Sequence, residues 1–460
     1  MGSQPAKQRP NIIVFFTDQQ RWDTTGVHGN PLDLTPNFDQ MATSGTHAWN
    51  AFTCQPVCGP ARCCLQTGRY ATAVGCWRNG RPLPRTQKTL AHHFNDAGYD
   101  TAYIGKWHLA SEQAVKPAER GGYRYWLASN ATEMDSDAYD CILHDGRGKR
   151  VKLPGYRVDA MTDAAIRYID DHQKSPFFMF LSYLEPHFQN HRDNYPAPDG
   201  YARKYEGRWM PPDLAAIHSD TTGLVGGNAY QSMGGYCGMI KRLDESLGRI
   251  RDALKSLGML QNTIIIFTTD HGCHFKTRND EYKRSGHDGA IRIPLAFSGP
   301  GFEQGGQLRQ MISLVDVPPT LLDAAGIAVP RSMQGRSILP LLKRDYAGWP
   351  DDVFVQISES EVGRAVRTGR WKYIVIAPGL SGEDVPGSTE YREKCLYDLQ
   401  ADPWELNNLI GLQSHLPVAA RMRQRLIKHM VAAGEKAPHI ELAPQRPSGQ
   451  KRVADDEVEQ

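Results

Sequence analysis

Two short stretches, Asn11–Thr17 (NIIVFFT) and Thr263–Thr269 (TIIIFTT), restrict the possible folds of this chain more than any other feature. Neither alternates polar with apolar residues, as a strand with one wet face would. Unbroken β-branched and aromatic runs of this length belong to strands covered on both faces, as in a parallel sheet packed between helices. Each run stops on an aspartate, Asp18 and Asp270. Residues 101–104 and 177–184 read as further strands. Amphipathic helical patterns cover 89–98, 158–172 and 236–257. This alternation predicts an α/β fold with a mostly parallel sheet flanked by helices. Ligands of such folds bind beyond the carboxyl ends of the strands. Asp18, Lys106, His187 and Asp270 all fall there.

The 460 residues, 40% hydrophobic and 23% charged, suit a soluble globular protein with one large domain and a small one. A net charge of +2 gives no electrostatic case for nucleic acid or an acidic membrane as partner. No apolar run approaches the ~20 residues of a membrane-spanning helix. The opening MGSQPAKQRP lacks a signal-peptide core, so the chain as written reads as cytoplasmic, or as periplasmic or secreted if a leader was removed. Gly348 and Pro350 mark a boundary. We expect a catalytic domain over 1–347 and a small α+β domain with an antiparallel sheet over 348–435. Its strands fall at 353–357, 363–367 and 371–376, with a helix at 415–433. A polar arm or disordered tail occupies 436–460.

Nine cysteines, an odd number at low density, argue against a disulfide scaffold. Four of them crowd into CQPVCGPARCC, at Cys54, Cys58, Cys63 and Cys64. Their spacing is not that of a zinc ribbon. Cys54, Cys63 and Cys64 read as packing residues. Cys58 stands apart because of its downstream neighbours. Pro60 fits the first turn of a helix, which puts Cys58 at the N-terminus, where the dipole and free N–H groups favour an anion. Arg62, one turn on, returns to the same face. A nucleophile, an arginine and a helix N-terminus at one point suit a tetrahedral oxyanion such as sulfate or phosphate.

From Cys58 to Arg69 the sequence resembles the signature of the sulfatase family, C-x-P-[small]-R-x-x-x-x-T-G-R, with Ala61 where serine is usual. The resemblance implies an alkaline-phosphatase-like fold. It also implies that a formylglycine-generating enzyme oxidises Cys58 to formylglycine, whose hydrated aldehyde is the nucleophile. Four more matches occur in the family's order. Asp18-Gln19 and Asp270-His271 resemble the two halves of its metal site, completed by residue 58. Their hard donors suit Ca²⁺, with Mn²⁺ or Mg²⁺ as alternatives. The family usually has two aspartates at the first position. The Asp-Gln form resembles the choline-sulfatase and phosphonate-monoester-hydrolase branch. Gly105-Lys106-Trp107-His108-Leu109 resembles the GKWHLG motif, which implies sulfate contact by Lys106 and a base role for His108. His187 matches a strand-end Pro-His that helps the leaving group. Lys283 takes the place of a second sulfate-binding lysine ahead of IRIPL, with Lys276 a weaker competitor. RAVRTGRWKY and LYDLQADPWELNNL extend the resemblance to about residue 409.

The expectation is therefore a sulfuric ester hydrolase using Cys58, Arg62, Lys106, His108, His187 and Lys283, with the charge of the sulfate oxygens balanced by Lys106, Lys283 and Arg62. Trp77, Arg78, Asn79, Trp107 and His287 stand near the expected mouth, and aromatic faces with a few polar groups suit a sulfated carbohydrate. Arg78, Asn79 and His287 are read as substrate contacts, although His287 reads equally as a structural histidine. His191 is read as a rim residue. Alternatives are an arylsulfatase or choline-sulfatase-like enzyme, a phosphonate monoester or phosphodiester hydrolase, and a sulfoglycan-binding protein with unconverted Cys58. No GxSxG elbow, P-loop or Rossmann fingerprint competes.

Overall fold

The computed structural model describes residues 9–215, 228–303, 305–449 and 452–460. A ten-stranded sheet forms the centre. Its strands are β1 (Asn11–Thr17), β2 (Thr46–Phe52), β3 (Asp100–Lys106), β4 (Tyr125–Ser129), β5 (Cys141–Asp145), β6 (Arg150–Leu153), β7 (Phe177–Ser182), β8 (Thr263–Thr269), β9 (Leu295–Ser298) and β10 (Gly306–Ser313), in the order β10-β2-β9-β8-β1-β7-β3-β4-β5-β6. The two apolar runs lie side by side in the middle, parallel and paired along their whole length from Asn11↔Thr263 to Thr17↔Thr269. Both are buried at every residue. Strand alternation sends Ile12, Val14 and Phe16 into one core with the helices Cys58–Thr67, Leu90–Asp96 and Val317–Ala324. Ile13 and Phe15 enter the other, under the helices Arg157–Asp171 and Ala229–Ser256. The pairs β2/β9, β8/β9, β4/β5 and β5/β6 are antiparallel, so the sheet is mixed and mostly parallel.

A second sheet has five strands, β11 (Asp352–Ile357), β12 (Gly363–Thr368), β13 (Trp371–Ile376), β14 (Glu390–Asp398) and β15 (His439–Glu441), in sequence order. It is antiparallel except for β14/β15. Helix Leu416–Ala432 covers one face through Val418, Met422, Leu426 and Met430. The other face packs Val355, Ile357 and Ile374 against Phe52, Ile291 and Met311 of the first unit. The stretch from 436 onward is an arm and not a disordered tail among its described residues. It supplies β15, Arg446 donates to Ile410 O, and Glu457 accepts from Arg370.

Helix Ala229–Ser256 begins seven residues before the apolar periodicity announces it. Gly234, Gly235 and Gly238 dilute the pattern there, and packing explains them. A Cβ on Gly235 would stand 2.2 Å from Tyr195 O, and one on Gly238 would stand 2.8 Å from the Ala197 methyl. Trp107, expected at the mouth, is wholly buried among Tyr103, Tyr123 and Trp126. An extended segment alternates its side chains, so placing Lys106 and His108 toward the site sends Trp107 into the core. No described helix is long and apolar enough to cross a membrane.

Candidate active site

Because β1 and β8 are parallel and in register, Asp18 and Asp270 emerge side by side. Gln19 follows with φ at 66° and donates its N–H to Asp270 Oδ1 at 3.0 Å. Helix Cys58–Thr67, buried at all ten residues, points its N-terminus at this pair. Its flanking Val57 provides no side-chain cap; Asn79 Oδ1 accepts the Gly59 N–H instead, at 2.9 Å. Cys58 Sγ lies 3.5 Å from Asp18 Oδ1 and 3.3 Å from His271 Nε2. His271 Nδ1 lies 2.9 Å from Gly272 O. A carbonyl only accepts, so Nδ1 carries the proton and Nε2 presents a lone pair to the cluster.

Ligand atoms of Asp18, Cys58, Asp270 and His271 all fall within 4.8 Å of one another. Among the described residues Gln19 Oε1 is buried without a hydrogen-bond partner, while its Nε2 is held near Tyr195 Oη and Cys273 Sγ. Burial and the charge of Asp18 push Asp270 up to about 6. Two facing buried carboxylates, an orphaned amide oxygen and an imidazole lone pair form a donor set that fits a hard divalent cation.

Cations close the other side. Lys283 Nζ lies 2.8 Å from Cys58 Sγ, and Lys106 Nζ lies 3.9 Å from it. Burial alone would push the thiol up. The ammonium groups of Lys106 and Lys283 override that and hold it well below the usual thiol range. Lys106 Nζ also meets Asp18 Oδ2 at 2.8 Å and Glu133 Oε1 at 2.9 Å. Burial would push Glu133 up, but Lys106, His108 and His187 hold its carboxyl down at about 2. His187 Nδ1 donates to Phe188 O at 2.7 Å, and its Nε2 lies 3.1 Å from Lys283 Nζ. Burial, then Lys283, holds this imidazole below its ordinary value.

The geometry revises several sequence expectations. Arg62 was expected against the sulfate oxygens. Its guanidinium is instead engaged by Asp18 Oδ2 at 2.9 Å, Lys106 O and Ser182 Oγ at 2.7 Å each, and Asp270 Oδ2 at 3.4 Å. It pairs with the carboxylates that follow β1 and β8. Asn79 was expected on substrate. Its Oδ1 caps the nucleophile helix, and its N–H donates to Glu359 Oε1 at 2.6 Å. His287 is buried, with Nδ1 near Ser285 Oγ at 3.2 Å and Nε2 near Tyr397 Oη at 3.1 Å, which is the structural alternative. Arg78 keeps a third of its side chain exposed beside Trp77. His191 lies exposed on the rim, and Lys276 pairs with Asp193 outside the cluster, leaving the lysine position to Lys283. Glu133 and Glu359 were not anticipated. The signal for Glu133 was topological: β4 runs parallel beside β3, so its carboxyl end opens into the same site.

The sulfatase family model matches residues 10–327, and that of the N-sulphoglucosamine sulphohydrolase C-terminal region matches 280–432. The ulvan-active sulfatase of Formosa agariphila is 28% identical over 447 residues, covering 93% of this chain and 82% of that protein. The N-acetylglucosamine-6-O-sulfatase of Bacteroides thetaiotaomicron is 27% identical over 496 residues, covering 91% and 86%. The solved structure of BT4656 in complex with its substrate D-glucosamine-2-N,6-O-disulfate superposes with a TM-score of 0.79 at 24% identity, over 94% of this chain and 99% of that one. The chain belongs to the sulfatase family, with its alkaline-phosphatase-like fold, and is a sulfuric ester hydrolase.

Proposed function

We propose that the protein removes sulfate from a sulfated carbohydrate, using residue 58 converted to formylglycine and a divalent cation, calcium before manganese or magnesium. The observation that carries this reading is the position of Cys58 Sγ. It touches the cation donors Asp18 and His271 on one side and the ammonium of Lys283 on the other. The sulfur stands where the oxygens of the hydrated aldehyde would be. Asp18, Gln19, Asp270, His271 and residue 58 hold the cation. The hydrated aldehyde would supply an oxygen nucleophile, and a cation held by these residues would supply Lewis acidity toward it and toward the sulfate.

The chain's own groups do the rest. Lys106 and Lys283 converge on residue 58 and balance charge on the sulfate oxygens as it builds. Lys283 Nζ and His187 Nε2 share a hydrogen bond and supply the proton that the leaving alcohol needs. His108, whose buried Nδ1 has no hydrogen-bond partner among the described residues, takes the proton that residue 58 must lose for sulfate to depart. The curated relatives support a sugar on the alcohol side, since one acts on ulvan and another is named for N-acetylglucosamine.

The test begins with protein produced beside a formylglycine-generating enzyme. The tryptic peptide 22–62 is weighed and fragmented. Conversion exchanges sulfur for oxygen and removes two hydrogens, and it is expected at Cys58 and not at Cys54. The converted protein is then given sulfated N-acetylglucosamine and uronic-acid oligosaccharides, an aryl sulfate and a phosphonate monoester. Sulfate release from the sugars is expected to be fastest. A thiol persisting at residue 58, while a control sulfatase is converted in the same cells, would favour the binding-protein reading. Faster phosphonate hydrolysis would favour the reading that Gln19, in place of an aspartate, brought in.

A further inference from the structure

Glu133 has no counterpart among the motif residues, and only the fold brings it to the site. Lys106 ends β3 opposite Ser129 at the end of β4. Four residues later the single-turn helix Thr132–Asp135 sets Glu133 over Lys106, with its side chain 5% exposed. Oε1 accepts from Lys106 Nζ at 2.9 Å. Its backbone carbonyl accepts from Gln189 Nε2, tying it to the segment that carries His187. Oε2 is buried with no hydrogen-bond partner among the described residues.

A structural role does not account for this carboxylate. Lys106 is already paired with Asp18 Oδ2 at 2.8 Å. A second buried carboxylate, with one oxygen unsatisfied, carries a desolvation penalty that the first did not require. Its effect on the charge of the hole is clear. Three cationic side chains, Arg62, Lys106 and Lys283, stand with three carboxylates, Asp18, Asp270 and Glu133, so their charges cancel in number although Lys283 pairs with none of the three. With the divalent cation of the function proposed above, on which this inference rests, the hole carries two positive charges. That equals the charge of inorganic sulfate, while a sulfate ester carries one negative charge. Without Glu133 the hole would carry three. Coulomb attraction scales with ligand charge, so the dianionic product would gain more than the monoanionic ester. We propose that Glu133 is a positioning residue that holds Lys106 over the nucleophile and sets the charge of the hole, so that sulfate is released and not retained.

The test is calorimetric titration of the calcium-loaded protein with inorganic sulfate and with methyl sulfate, for the parent, E133Q and E133D. Glutamine keeps the shape and an acceptor for Lys106 but removes the charge; aspartate keeps the charge. E133Q is expected to bind sulfate on the order of tenfold tighter and to raise the ratio of sulfate to methyl sulfate affinity. It should also show a burst of alcohol release from an aryl sulfate, followed by a slow phase limited by sulfate departure. E133D should keep the parent's ratio, which also covers the case in which E133Q fails to fold. An unchanged or lower ratio in E133Q, or an equal rise in E133D, would overturn the proposal. Failure of the parent to hydrolyse any sulfate ester would refute the functional reading separately, since the affinity ratios need no turnover.

Discussion

Cys58 is met by side chains from four separate stretches of the chain, Asp18, Lys106, His271 and Lys283, and each has another partner, Arg62, Glu133, Gly272 O and His187 in turn. Cys58→Ala is therefore expected to abolish sulfate release while leaving the melting temperature within a few degrees of the parent. Residual turnover near the parent's would sink the nucleophile assignment. Asn79→Ala removes the cap on the Gly59 N–H. It is expected to lower stability by about 1 kcal/mol and to reduce kcat more than KM; a change in KM alone would return Asn79 to the substrate side. At this scale the sequence is informative where a residue closes a strand. Asp18 and Asp270 are legible because unbroken apolar runs end on them. Glu133 and Glu359 are not, because each sits just beyond the end of a strand, β4 and β11, whose neighbours are chosen by sheet order and not by sequence distance.

Elements show the same division. The two central strands were plain from composition, since nothing but burial on both faces explains NIIVFFT beside TIIIFTT, whereas β2, β4, β5, β6 and β10 were not anticipated. The start of helix Ala229–Ser256 was hidden by its glycines, which serve a contact that periodicity does not encode. Gly235 is a strong case, because the Tyr195 carbonyl occupies the space of its missing Cβ. Gly235→Ala is expected to destabilise the fold by about 1–3 kcal/mol, read as a lower urea midpoint. Tyr195 also meets the Gln19 amide, so calcium should protect this variant less than the parent. Equal protection would separate Tyr195 from the cation site.

Across the whole molecule, the second sheet holds the site segment 278–292 through buried charge. Lys372, wholly buried, pairs with Asp288 and with Glu405 at 2.6 Å, and Arg367 pairs with Asp288 at 3.3 Å. Glu405 Oε2 accepts the Asp288 N–H as well. Lys372→Met strands a carboxylate and is expected to cost about 3–5 kcal/mol, seen as a large fall in melting temperature. Acid should weaken the fold through its buried histidines. Burial lowers His47 to about 4 and His274 to about 3, so below the ordinary histidine value the unfolded chain binds protons first. Stability is full above about pH 6.5 and falls with pH, by roughly 1.4 kcal/mol per unit for each. Asp244, Asp270 and Asp316, each raised to about 6 by burial, act in the opposite sense between about pH 6 and 4, so the check is the shift of the urea midpoint between pH 7 and pH 5 in H47Q and H274Q against the parent; a shift equal to the parent's would contradict it.

The order of strands also sets a clock. β1 is flanked by β7 and β8, and Asn11 pairs with Thr263, a partner made 252 residues later. At on the order of 5–20 residues per second, β1 waits roughly 10–50 s for its second neighbour to be synthesised. Throughout that interval the CGPAR segment has no finished sheet to bury it. Once the chain closes, Cys58 is sealed at 1% exposure. Any enzyme that remodels this side chain must reach it during synthesis or soon after, so a slow codon before residue 263 would lengthen its opportunity and a fast-folding variant would shorten it.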